Sequence, residues 1–279
     1  MKVTLIAFGN KKFAEAIDRF KSQAKSLNFF TNIYVLDEES LGKETDFIKD
    51  NYGFINSEVP GYGAWIWKSY IIEKAFEKFS NSDFFMYLDS GSEFNVNEKT
   101  IGRFTEYFNI ADKVGLFAFR NRDQEANLSH CSVIDRIFPE AKHTLQFEAN
   151  TLIFKNTKKN LSLIKEWKSL CIENNYWNVN PYSYKCCDLF GASLHDQSVL
   201  SCLLKREGYE GIPDEASWYL PSYSVYDTIS SNRLKYPIFT ARNPFNYSII
   251  NKDCLRYKEF STCKHNDENF DCEQTLKVR

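Results

Sequence analysis

Short, wholly apolar runs alternate with stretches of helical spacing along this chain, and that alternation limits the folds open to it. Residues 3–8 read VTLIAF and stop at Gly9 and Asn10. Phe13, Ala16, Ile17, Phe20, Ala24 and Leu27 then recur at helical spacing, and residues 32–36 (NIYVL) close on Asp37, Glu38 and Glu39. Strand, amphipathic helix and strand make a β-α-β opening, which predicts a parallel pair with a right-handed crossover. Residues 84–88 (FFMYL), 115–119 (GLFAF) and 151–154 (TLIF) read as further buried strands. Helices are predicted over residues 45–52, from near Ala64 with Ile71, Ala75 and Phe79 on one face, through Leu161, Ile164, Trp167 and Cys171, and over residues 194–206. Pro60, Gly61 and Gly63 punctuate a turn before the second of these.

Such an alternation predicts an α/β open sheet flanked by helices. Ligands of such sheets sit outside the carboxyl ends of the strands. That places three segments on one rim: Phe8 with Gly9 and Asn10, the turn before Ala64, and Asp89 with Ser90 and Gly91. The length of 279 residues and 43% hydrophobic content suit one large domain with a real core. A net charge of −2 argues against nucleic acid as a partner. No window is apolar for about 20 residues, so no transmembrane helix is expected, while peripheral membrane association stays open. The N-terminal apolar run is too short for a secretory leader, so the expected location is cytoplasmic. The eight cysteines are accordingly expected to be reduced. Cys254, Cys263 and Cys272, with His265 near the last two, lie too far apart for a usual zinc motif. For a cytoplasmic chain the sequons at Asn127, Asn160 and Asn246 carry no meaning.

The segment FFMYLDSGSEF, residues 84–94, runs a buried strand straight into an acidic, glycine-containing turn. A carboxylate just past a strand, at the ligand-binding edge, can hold a hard divalent cation that grips two phosphates. Asp89 is that carboxylate. Ser90 and Gly91 let the chain turn and a ligand approach the backbone, and Glu93 stands near enough to assist. An Asx-turn closing the strand is the plain alternative.

YLDSGSEF resembles the aspartate motif of nucleotide-sugar glycosyltransferases of the GT-A fold, including bacterial capsular and lipopolysaccharide enzymes. The resemblance implies a Rossmann-type open mixed sheet in a single large domain. It implies a nucleoside-diphosphate sugar donor and a divalent metal, manganese or magnesium, at Asp89. Gly91 stands where the second aspartate of the motif belongs, so fewer protein ligands hold the metal. GYGAWIWKSYII, residues 61–72, is similar to the glycine-aromatic-tryptophan-lysine segment that precedes the aspartate motif in those enzymes. A helix N-terminus there offers amide N–H groups and a positive dipole end to an anion, with Lys68 adding charge. FEANTLIF, residues 147–154, is similar to the family's donor-sugar segment, which implies donor contacts for Ala149 and Asn150 and a charge-stabilising or basic role for Glu148. LHDQSVLSCLL, residues 194–204, resembles the family's Asp-Gln segment and implies that Asp196 faces the reacting sugar beside Gln197. Asp196 also suits a helix N-terminus on its own, and His195 suits packing or capping. Arg242 is the candidate from a late loop to meet the diphosphate.

The resemblance covers about the first three quarters of the chain. It divides residues 1–250 into a nucleotide-binding half, 1–115, and a donor-sugar and acceptor half, 116–250, followed by a charged tail, 251–279. Glycosyl transfer needs stabilisation of the departing diphosphate, of an oxocarbenium-like carbon, and removal of the acceptor proton. Asp89 and Lys68 suit the first need, and Glu148 and Asp196 the second. Asp196 is the expected base, with Glu148 as the alternative. Inversion and retention both stay open, and the Asp-Gln resemblance leans to retention. The implied activity is transfer of a sugar, a hexose by expectation, to a polysaccharide or lipid-linked glycan. A non-catalytic nucleotide-sugar or glycan-binding module is the alternative. A nucleotidyltransferase is disfavoured because GNKKF after the first strand holds a single glycine.

Overall fold

The computed structural model describes residues 1–56, 58–173, 187–216, 235–240, 244–246 and 248. Among these, six strands form one sheet in the order β2-β1-β3-β6-β5-β7: β1 is Val3–Gly9, β2 Asn32–Asp37, β3 Phe84–Leu88, β5 Leu116–Gln124, β6 Leu145–Lys155 and β7 Ile212–Pro213. The pairs β1–β2, β1–β3 and β5–β7 are parallel, while β6 runs antiparallel to both β3 and β5. A small ribbon, β4 (Glu93–Phe94) with β8 (Ile238–Phe239), leaves the rim just after β3. The sheet is open and mixed, with helices on both faces, as the motif resemblance implied.

Alternation along each strand feeds two cores. Val3, Leu5 and Ala7 of β1 join Phe84, Met86 and Leu88 of β3 on one face, under Phe20 of the Ala14–Ser26 helix and Phe104 and Phe108 of the Ile101–Val114 helix. Ile6, Phe8, Phe85 and Tyr87 point the other way, toward the Trp67–Lys78, Lys158–Glu173 and His195–Arg206 helices. Burial on both faces explains why these strands read as unbroken apolar runs rather than as alternating ones. Each such side chain contributes roughly 1.5–3 kcal/mol.

The β-α-β opening forms as predicted, with parallel register from Thr4 opposite Asn32 to Gly9 opposite Asp37. The sheet strands of the second half are longer than expected. Residues 115–119 are part of Leu116–Gln124, and residues 151–154 are the end of Leu145–Lys155. Glu148, Ala149 and Asn150 therefore lie inside β6, not at its entrance. The Ile101–Val114 helix was not anticipated, although Phe104, Tyr107, Phe108 and Ala111 carry its period and Gly115, at φ 97°, ends it in the left-handed region. The helix expected from Ala64 begins only at Trp67, because the residues before it are wound the wrong way, as described below.

The expectation that every cysteine is reduced is corrected. Cys131 is disulfide-bonded, and its partner is not among the described residues. Spacing along the chain does not reveal which sulfurs a fold brings together. Cys171 and Cys202 are buried core residues. No helix among the described residues is long and apolar enough to cross a membrane. Arg242, His265, Cys254, Cys263, Cys272 and the whole of residues 251–279 lie outside the described residues.

Candidate active site

The carboxyl ends of β1 and β3 meet at one rim, and Ser90 fastens them. Its hydroxyl donates to the Phe8 carbonyl at 2.8 Å. Gly9 sits so close beneath that a Cβ there would lie 2.8 Å from the Ile17 side chain and 3.1 Å from Ser90 Oγ. A side chain at position 9 would therefore force Ile17 to shift. The Ser92 amide donates to the Asp89 carbonyl at 2.9 Å, closing a tight turn around Ser90 and the buried Gly91. Arg19 holds that turn from inside: its Nη2 donates to the carbonyls of Ser90 and Ser92, each at 3.1 Å, while Nη1 lies 3.6 Å from Glu93. Burial pulls the Arg19 pKa down, and Glu93 works against that pull. Glu93 is fully buried and engaged with Arg19, so it does not assist at the rim as the sequence suggested.

Asp89 points the other way. Its side chain keeps 40% of its surface exposed. The Asp89 amide donates to the Asn150 carbonyl at 3.0 Å, so the turn is stitched to β6. Tyr87 donates its hydroxyl to Asp89 Oδ1 at 2.6 Å, and burial, then Asp89, holds the Tyr87 phenol far above its usual range and therefore protonated.

Pairing of β5 with β6 shifts register between Ala118 opposite Leu152 and Arg120 opposite Phe147. The irregularity falls on residues 148–151, where a bulge re-aims side chains at the rim. Asn150 donates its side-chain amide to Glu148 Oε2. Between them, the Ala149 carbonyl accepts from Lys68 Nζ at 3.0 Å, and the Ala149 amide donates to Gln197 Oε1 at 3.1 Å. Gln197 passes the linkage on to Gln146 at 2.6 Å, and Gln146 donates to the fully buried Glu125 at 3.1 Å. Glu125 also accepts from Ser201 and is ion-paired with Lys205.

Lys68 is the centre of the arrangement. It is 4% exposed, with its ammonium 3.4 Å from Asp196 Oδ2, 3.7 Å from Asp89 Oδ1 and 5.0 Å from the Tyr87 ring centroid. Burial alone would lower its pKa, yet the two carboxylates raise it, so it stays charged. Asp196 lies in the first turn of the His195–Arg206 helix, with its carbonyl taking a 2.9 Å hydrogen bond from the Trp167 indole. Burial pushes the Asp196 carboxyl up to about 6, Lys68 opposes this and Asp89 adds to it. Its buried Oδ2 is ion-paired with Lys68 and makes no aligned hydrogen bond among the described residues, so it can still accept from a hydroxyl arriving with a ligand.

Around this centre the backbone is strained. Gly61, Tyr62, Gly63, Ala64 and Trp65 have φ of 66°, 54°, 96°, 51° and 58°, a left-handed turn in succession, and His195 stands at 52°. Left-handed angles cost L-residues roughly 1–2 kcal/mol each. Strain of this kind gathers at functional sites. A Cβ on Gly61 would lie 2.2 Å from the Trp65 indole, so only glycine fits under that ring.

The structure thus draws Phe8, Gly9, Lys68, Asp89, Ser90, Gly91, Glu148, Ala149, Asn150, Asp196 and Gln197 into one rim. Sequence reasoning did not find Tyr87, Arg19, Gln146 and Glu125. Their partners lie far away in the chain, and no local pattern marks them. It also read Lys68 as a charge one turn into a helix, whereas Lys68 is buried between two carboxylates.

No protein-family model matches the chain, and no curated protein matches it. Solved structures similar to it include a glycosyltransferase involved in the glycosylation of the major capsid of PBCV-1, at 16% identity and TM-score 0.48, covering 86% of this chain and 93% of that one. WbbM, a bifunctional glycosyltransferase, is 9% identical at TM-score 0.48, with 86% of this chain covered and 45% of WbbM, so this chain spans less than half of it. Mouse xyloside xylosyltransferase 1 is 10% identical at TM-score 0.44, covering 89% of this chain and 100% of that one. All three are glycosyltransferases.

Proposed function

We propose that this protein transfers a sugar from a nucleoside-diphosphate sugar to a hydroxyl of a glycan acceptor. The observation that supports it is the Asp89–Lys68–Asp196 cluster at the carboxyl rim of the sheet, with one carboxylate facing outward and one buried at a raised pKa. A hexosyl donor, and a polysaccharide or lipid-linked glycan acceptor, are the substrates the motif resemblance favours.

The acceptor O–H attacks the anomeric carbon as the bond from that carbon to the diphosphate breaks, its electron pair leaving with the diphosphate. Asp196 takes the acceptor proton. Its pKa of about 6 suits a base that must be mostly ionised near neutrality while still binding a proton. Lys68 keeps that carboxylate ionised and fixes it against Asp89. Glu148 and Asn150, flanking Ala149 on the bulge, are placed to meet the donor sugar.

Asp89 fits a divalent ion of the kind bound through one carboxylate and substrate phosphates. Tyr87 and Lys68 approach Oδ1, and Oδ2 has no protein partner among the described residues. Among those residues no group of three ligating side chains exists for an all-protein site. Manganese or magnesium held at Asp89 would offset the negative charge that Asp89 and the leaving diphosphate bring together.

The test is incubation with a panel of nucleoside-diphosphate sugars and simple glycoside acceptors, with and without manganese, reading free nucleoside diphosphate. Asp89→Asn and Asp196→Asn are expected to lose turnover about 100-fold or more while melting as folded proteins. Full activity in both variants would overturn the reading. Donor binding without turnover for every acceptor would mark a binding module instead.

A further inference from the structure

We propose that Trp65 and His195 form an aromatic platform for the sugar ring that carries the accepting hydroxyl, an acceptor subsite that rests on the transfer reading above. Both residues stay half-buried, and Trp65 packs against the buried core. Their rings lie 5.0 Å apart between centroids at an interplanar angle of 43°. One side of the indole rests on Gly61, which has no side chain to displace it. His195 immediately precedes Asp196, so the platform adjoins the carboxylate that takes the acceptor proton. Lys68 is close enough to depress the His195 pKa further, after burial, to about 4. The imidazole is therefore neutral at working pH, an uncharged ring beside the indole. Apolar C–H faces of a pyranose pack on aromatic rings, and the hydroxyl edges then reach polar groups around them.

Two features favour a sugar over other occupants. First, Tyr62 and Trp65 are held in left-handed angles on the same short turn, yet neither gains full burial from them. Gly61 and Gly63 make room for that path under the Trp65 ring and beside the Phe54 carbonyl, and the path leaves both aromatic residues partly exposed, where a ligand can meet them. Second, Tyr62 stacks on Phe8 at 5.7 Å and 28°, on the β1 side of the turn. Trp65 faces the Asp196 side instead. The single turn thus separates a position beside the donor rim from a position beside the base.

The test uses saturation-transfer NMR on the full chain with methyl α- and β-glycosides of glucose, galactose, mannose, xylose and N-acetylglucosamine, in the presence of uridine or guanosine diphosphate. At least one glycoside is expected to bind wild type, and Trp65→Ala to weaken it about tenfold, as for loss of a stacking partner. Trp65→Phe is expected to restore most of that binding. His195→Gly relieves the left-handed backbone, so it is expected to raise the Tm while weakening the glycoside; a purely structural role predicts a lower Tm. Nucleoside-diphosphate affinity, read by calorimetry, is expected to change less than about twofold in each variant.

The proposal is overturned if no glycoside binds wild type, or if binding survives Trp65→Ala and His195→Gly. It is equally overturned if Trp65→Ala weakens the nucleotide or the nucleotide-sugar instead, which would make the platform part of the donor site. Glycoside binding that depends on Trp65, in a protein that binds no nucleoside diphosphate, would sink the transfer reading and leave the sugar platform standing.

Discussion

Lys68 and Asp196 form a buried ion pair at 3.4 Å, joining a helix that starts at residue 67 to one that starts at residue 195. The acid is raised to about 6, by burial first and with Lys68 opposing. If Asp196 is the base, kcat/KM should fall below pH 6 as the carboxyl protonates, and level off above about pH 7. Lys68→Met removes the opposing charge, so the acidic limb should move to higher pH and the variant should unfold more easily by about 3–5 kcal/mol. A pH–rate profile and a denaturant titration check the two outcomes.

Asp196 also makes a stability prediction. Its folded pKa lies above the value of 3.8 for an ordinary aspartate, so the folded state binds this proton more tightly. The stability this group contributes is present below pH 3.8 and lost as pH rises through about 6. Asp196→Asn removes one of the two carboxylates facing Lys68, so its stability relative to wild type should be lower at pH 4 than at pH 8, while it is inactive at both. A stability difference from wild type that does not change between pH 4 and pH 8 would contradict the buried, raised carboxyl.

At Asp89 the prediction concerns cation dependence. Uridine or guanosine diphosphate should bind wild type more tightly with manganese than with chelator, and Asp89→Asn should remove most of the difference. Calorimetry reads this without any turnover. A manganese effect of the same size in Asp89→Asn would place the ion elsewhere.

Arg19 and Glu93 supply a prediction about the turn itself. Arg19→Met removes two hydrogen bonds to the 90–92 carbonyls and leaves Glu93 buried without its cation. A loss of about 3–5 kcal/mol is expected. The double variant Arg19→Met with Glu93→Gln should recover part of it, and a double-mutant cycle measures the coupling.

The left-handed turn is open to glycine scanning. Gly61→Ala meets both an unfavourable φ and the Trp65 ring at 2.2 Å, so it should destabilise by more than about 1 kcal/mol. Ala64→Gly, at φ 51°, should stabilise by about 1 kcal/mol. Thermal melts of the two variants, moving in opposite directions, would establish the strain.

What the sequence determined is local. The apolar runs at residues 3–8 and 84–88 name buried strands because no other short element is apolar on both faces. The spacing of Phe13 to Leu27 names a helix, and the length between the first two strands leaves a parallel pair as the economical result. Asp89 was recognisable as a rim carboxylate because it follows an apolar run at a turn, whereas Glu148 and Asp196 stood out through the resemblance of their segments to the glycosyltransferase motifs. The tertiary structure decided how those groups are used. Whether Lys68 is solvated or buried depends on two carboxylates 21 and 128 residues further along the chain. The same holds for the inward turn of Glu93 toward Arg19, the disulfide at Cys131, and the left-handed path of residues 61–65, which rests on the ring of Trp65 and the backbone of Phe54. Burial and long-range pairing set charge and strain at these positions, and neither is encoded in the spacing of residues along a chain.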